Sequence, residues 1–73
     1  MNTQREAILA HLISGLTITQ AQAYELYGCF RLSERIREIK KMGYGVSSTM
    51  IELPNGKRVA EYRLTSRPGE LFL

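Results

Sequence analysis

In the first forty-odd residues, apolar side chains recur at intervals of three and four. From Val46 onward they alternate with polar ones. The first spacing belongs to helices with one buried face, the second to strands with one buried face. Ile8, Leu9, Leu12 and Ile13 give one apolar face within TQREAILAHLISG, the first predicted helix. Thr3 and Glu6 at its start have capping-box spacing, and Gly15 offers a left-handed stop. Leu16-Thr17-Ile18 is short, β-prone and expected to be extended. Thr19 and Gln22 form a second capping box, with Ile18 placed to pack on Ala23 as a hydrophobic staple. A second helix is predicted over Gln20–Tyr27, with Ala23, Leu26 and Tyr27 on one face and Gly28 as its stop. After the turn Gly28-Cys29-Phe30, a third helix is predicted over Arg31–Met42. There Leu32, Ile36 and Ile39 form a narrow inward stripe, and Gly43 ends the helix.

VSSTMIELPNGKRVAEYRL reads as a β-hairpin. Asn55-Gly56 is a strong signal for a two-residue loop, because both residue types tolerate positive φ. That loop would set Pro54 opposite Lys57, Leu53 opposite Arg58, Ile51 opposite Ala60 and Thr49 opposite Tyr62. Ile51, Leu53, Ala60, Tyr62 and Leu64 would then share the core face, with Ser48, Glu52, Glu61 and Arg63 on the other.

A hairpin is not stable alone in water. Here it can cover a three-helix core, and Leu16-Thr17-Ile18 can pair with one of its edges. Helices 2 and 3 around a short glycine-containing turn form a helix-turn-helix unit, and the hairpin adds a wing. The expected class is α+β, a winged helix-turn-helix: a three-helix core over residues 1–64, followed by a tail at 65–73. Seventy-three residues allow one domain with a small core. With 44% hydrophobic and 23% charged residues, the composition is that of a folded chain.

The residues TITQAQAYELYGCFRLSERIREIKKMGYGV and NGKRVAEYRL resemble the small winged helix-turn-helix domain common in short bacteriophage and prophage proteins. The similarity spans about residues 5 to 64. It rests on the T-x-x-x-A-x-x-L-Y-G second helix, the R-L-x-x-R-I-x-x-I-x-x-x-G-Y third helix and the K-R-V-A-E-Y-R-L closing strand. The resemblance implies duplex DNA as partner, a phage or prophage origin, and no enzyme activity.

Charge fits that expectation. The formal excess is +3, and residues 31–41 alone carry five bases against two acids. With Leu32, Ile36 and Ile39 inward, Glu34, Arg37 and Lys41 point away from the core, and Arg35 lies nearest its edge. N-terminal residues of a recognition helix meet base edges in the major groove. Arg31, Ser33, Glu34 and Arg37 are therefore the candidate base readers. Arg can bond guanine bidentately, and Glu can accept from cytosine. Arg35, Lys40 and Lys41 are candidates for backbone contact. So are Thr17, Thr19 and Gln20, at the positive end of the second helix. Asn55, Gly56, Lys57 and Arg58 form a basic wing tip able to reach phosphates or the minor groove.

Catalytic and metal chemistry lack their residues. One His and one Cys, His11 and Cys29, are too few for a zinc site and are far apart in the chain. Cys29 is expected to be a small buried residue. No cofactor or small-molecule ligand is expected. A single cysteine excludes an intrachain disulfide, and the N-terminus lacks a signal-peptide pattern, so a bacterial cytoplasmic location is expected. The apolar Leu71, Phe72 and Leu73 either fold back on the core or dock on a second copy as a homodimer or array on DNA. The function expected first is a transcriptional regulator. The alternatives are an excisionase-like architectural factor and a protein-binding module inhibiting a host protein. Glu34 and Glu38, on the would-be reading face, keep the last of these open.

Overall fold

The computed structural model describes residues 3–68. The order is α1 (Thr3–Ile13), β1 (Ile18–Thr19), α2 (Gln20–Tyr27), α3 (Leu32–Lys41), β2 (Gly45–Glu52) and β3 (Arg58–Ser66). The predicted tail contact through Leu71, Phe72 and Leu73 lies outside the described residues. So does the Thr3 side chain of the first expected capping box.

The three helices form where apolar spacing and end signals agree. The capping box of α2 is present in full. Thr19 Oγ1 accepts from the Gln22 N–H, and Gln22 Oε1 accepts from the Thr19 N–H. Gly28 ends α2 in the left-handed conformation, at φ 66°. The stripe of α3 is wholly inward: Leu32, Ile36 and Ile39 are all buried. They meet Ile8 and Leu12 of α1, Ile18, Ala23 and Cys29 in one core, and Cys29 is buried as expected. Two residues depart from the expected faces. Leu26 is 58% exposed, and Ile13 sits at the rim of its helix rather than in the core. The core is narrow enough that one apolar stripe per helix fills it.

The sheet order is β1-β3-β2, antiparallel throughout. Ile18 pairs with Tyr62 and Thr19 with Glu61, so an extended piece docks on the hairpin as expected, but over Ile18–Thr19 and not Leu16–Ile18.

The hairpin register is one residue away from the expected one. Ile51 pairs with Val59, Met50 with Ala60, Thr49 with Glu61 and Ser48 with Tyr62. The reason is Pro54. In a two-residue Asn-Gly loop, residue 54 would donate its N–H to Lys57, and proline has none. Leu53 donates to the Lys57 carbonyl instead, at 2.7 Å, and the Gly56 N–H donates to the Leu53 carbonyl at 2.9 Å. The loop is therefore Pro54-Asn55-Gly56: proline with its fixed φ early in the turn, then glycine at φ 85°. Asn55 keeps a negative φ and accepts from the Lys57 N–H through Oδ1. The shift moves Ile51 to the face opposite Tyr62 and brings Val46, together with Ser48 and Glu52, which were expected on the other face, to the Tyr62 side. Val46, Tyr62 and Leu64 pack on the core together with Tyr44.

The strands diverge from a regular ladder at their base, between Gly45 and Val46. A Cβ on Gly45 would stand 2.4 Å from Ser66 Oγ and 2.7 Å from Thr65 Oγ1, so a side chain there would have to displace both hydroxyls. β3 runs on through Thr65 and Ser66. At the other end the hairpin leaves the core behind. Arg58 lies four residue steps from Tyr62, which is about 13 Å of strand, and Ser47 to Met50 are all exposed.

Candidate nucleic-acid interface

Leu32, Ile36 and Ile39 fix the rotation of α3, and with it the direction of every polar residue on that helix. Arg31, Ser33, Arg37, Lys40 and Lys41 are exposed. Glu34 and Arg37 form an ion pair at 2.5 Å on the outer face. Arg35 lies at the core edge, as expected, with its side chain 21% exposed and its guanidinium 3.1 Å from Glu38. Its Nε is buried with no hydrogen-bond partner. Glu38 is also 3.7 Å from Arg5 of α1. The two glutamates thus have different surroundings. Glu38 joins α3 to α1, while Glu34 holds Arg37 on the outside.

The position of α3 relative to α2 depends on Gln20. Its Nε2 donates to the Cys29 carbonyl at 2.7 Å, and its Oε1 accepts from the Leu32 N–H at 2.9 Å. Leu32 is the first residue of α3, and Arg31 before it supplies no side-chain cap. Gln20 therefore satisfies a free N–H at the start of α3 from a neighbouring helix, the task a local N-cap residue usually performs. Gln4 of α1 adds a bond to the Gly28 carbonyl at 3.1 Å. The turn between α2 and α3 is pinned from two helices.

Thr17 and Thr19 lie beside that junction, and both already hold structural bonds. Thr19 Oγ1 accepts within its capping box, which leaves its hydroxyl hydrogen available to an outside acceptor. The Thr17 carbonyl is 2.9 Å from His11 Nε2, and His11 Nδ1 is 2.9 Å from the Tyr27 hydroxyl. A carbonyl only accepts, so Nε2 carries the hydrogen. In the neutral ring, Nδ1 then accepts from the Tyr27 O–H. His11 thereby ties α1 to the residue before β1 and to the end of α2. Nothing in the apolar pattern announces the ties made by Gln20 and His11. The only sequence signal was a polar residue on a helix with no local partner.

The wing tip is the third stretch. Asn55, Gly56, Lys57 and Arg58 are all exposed. Glu52 stands across the ladder from Arg58, so the tip carries less unopposed charge than its sequence suggests. Gln20 brings the start of α2 and the start of α3 together, whereas the wing tip stands apart at the far end of the hairpin.

Among the described residues no group of three or more His, Cys, Asp or Glu could hold a metal ion. No helix there is long and apolar enough to cross a membrane. No curated protein and no solved structure matches the chain. A family model described as a winged helix-turn-helix domain matches residues 3–67. With three helices, a small antiparallel sheet and that match over most of its length, the chain belongs to the winged helix-turn-helix domain family.

Proposed function

We propose that the protein binds duplex DNA as a small transcriptional regulator of phage or prophage type. In this reading α3 lies in the major groove and the wing over the backbone or minor groove. The observation that carries it is the division of α3. Its apolar stripe is fully buried, and Arg31, Ser33, Arg37, Lys40 and Lys41 remain on the outside.

The roles divide by position. Arg31, Ser33 and Arg37 face bases, with Glu34 orienting the Arg37 guanidinium. Lys40 and Lys41 meet phosphates near the C-terminal end of α3. The Thr19 hydroxyl and the second amide hydrogen of Gln20 are placed for a phosphate at the start of α2. Arg35, half sequestered beside Glu38, acts mainly by holding α3 in place. Lys57 and Arg58 supply the wing contact.

The test is selection of a site from random duplexes at physiological salt, followed by two substitutions. Arg37→Ala should change base preference at one position, at a cost of about 1–3 kcal/mol for a bidentate contact. Lys57→Ala should weaken all sequences evenly. If neither substitution alters affinity, the reading is wrong. A second reading draws on the Glu34 carboxylate, which puts negative charge on the outer face: a protein-binding module acting on a host protein. It predicts no enriched DNA motif and instead a partner whose capture fails with Glu34→Lys.

A further inference from the structure

Phe30 is 76% exposed, more than any other large apolar side chain among the described residues. Single exposed apolar residues are ordinary, but Phe30 is neither alone nor loose. Its ring packs on that of Tyr24, with centroids 4.9 Å apart and planes tilted by 52°. Tyr24 is itself 53% exposed. The backbone on both sides is fixed. Cys29 before it is fully buried, and Gln20 bonds both the Cys29 carbonyl and the Leu32 N–H. The chain thus holds an aromatic pair outward at the N-terminal end of α3, directly before Arg31. The core does not use it, and neither do the polar contacts described above.

We propose that Phe30, backed by Tyr24, is a specificity residue that reads thymine through its C5 methyl group. The inference rests on the DNA-binding reading and deepens it. The N-terminal end of a recognition helix is the part that meets base edges. The thymine methyl is the one apolar group that base pairs present in the major groove, and phenylalanine is among the side chains that match it. Arg31, next in the chain and exposed, adds positive charge to the same end of α3, which suits a duplex better than an apolar protein surface. Packing against Tyr24 limits the ring's freedom before binding, so less order is lost when the methyl is covered.

The experiment uses the full chain and its selected duplex, with each thymine replaced singly by deoxyuridine, which lacks only the methyl. At one thymine the unaltered protein should lose about fourfold in affinity, the factor for one buried CH2 group. Phe30→Ala should bind the thymine and deoxyuridine duplexes equally at that position and keep the same salt dependence. Phe30→Leu should retain part of the discrimination. The melting temperature of each variant, matched to the unaltered protein, shows that folding is intact. If the protein binds DNA yet every replacement is neutral, or Phe30→Ala shows the same loss, thymine reading is overturned while DNA binding stands. If no duplex is bound, the DNA reading fails and this inference with it. If Phe30→Ala leaves DNA affinity unchanged but dissolves a two-copy complex in sedimentation, the aromatic pair is a self-contact and the inference is overturned.

Discussion

Replacing Gln20 with alanine removes two hydrogen bonds that hold the start of α3 against α2. One satisfies the Cys29 carbonyl, the other the Leu32 N–H. Each is partly buried and contributes about 0.5–1.5 kcal/mol net. No side-chain cap at Arg31 takes over, so the loss resembles removal of a helix cap as well. A cost of about 2 kcal/mol follows. A domain of this length is stable by roughly 4–11 kcal/mol in total, and a change of that size lowers the melting temperature by about 8–16 °C. Urea unfolding followed by far-UV circular dichroism measures it, provided the transition is two-state. Gln22→Ala is the comparison. It lies in the same turn of α2 but loses only its bond to the Thr19 N–H, so it should cost less than Gln20→Ala. Gln20→Glu should fall between, since a carboxylate still accepts from Leu32 but cannot donate to Cys29. If Gln20→Ala unfolds within about 0.5 kcal/mol of the unaltered protein, the scatter of an ordinary surface change, then Gln20 is not what sets the α2–α3 junction.

Other perturbations probe the rest of the framework. His11→Leu leaves the Thr17 carbonyl and the Tyr27 hydroxyl without their partner and should cost about 1–3 kcal/mol in the same unfolding assay. Gly45→Ala forces Ser66 Oγ and Thr65 Oγ1 to move, at about 1–2 kcal/mol for local overpacking; adding Thr65→Ala and Ser66→Ala should recover most of that loss. Glu34→Gln removes one negative charge from the proposed DNA face. By titration into a random duplex it should raise non-specific affinity about fivefold, the scale of one unit-charge contact in water, while blurring the preference set by Arg37.

The helical part of the fold was legible in the sequence because its signals are local. Thr19, Gln22 and Gly28 bracket α2 where expected, and the Leu32, Ile36, Ile39 stripe determines the rotation of α3. The hairpin was legible as a hairpin but not in register. Asn55-Gly56 pointed to a two-residue loop, and the missing N–H of Pro54 lengthened it by one. That one residue exchanged Ile51 for Val46 on the core face. The exposure of Leu26 could not be seen, since helical spacing gives a face but not the width of the core it meets. Of the candidate site, the outward direction of Arg31, Arg37, Lys40 and Lys41 was legible. The state of those bases was not. Glu38 binding Arg5 and Arg35, and Gln20 reaching Cys29 and Leu32, are contacts between elements that no spacing rule encodes.

Duplex DNA binding through the outer face of α3 carries a salt dependence that can be measured by titration. If Lys40, Lys41, Lys57 and Arg58 each neutralise one phosphate, log affinity falls linearly with log salt, with a slope of about −3.6. Lys40→Ala combined with Lys41→Ala should reduce the steepness by about 1.8, two contacts' share. A flat response, or a slope that the double substitution leaves unchanged, would contradict it.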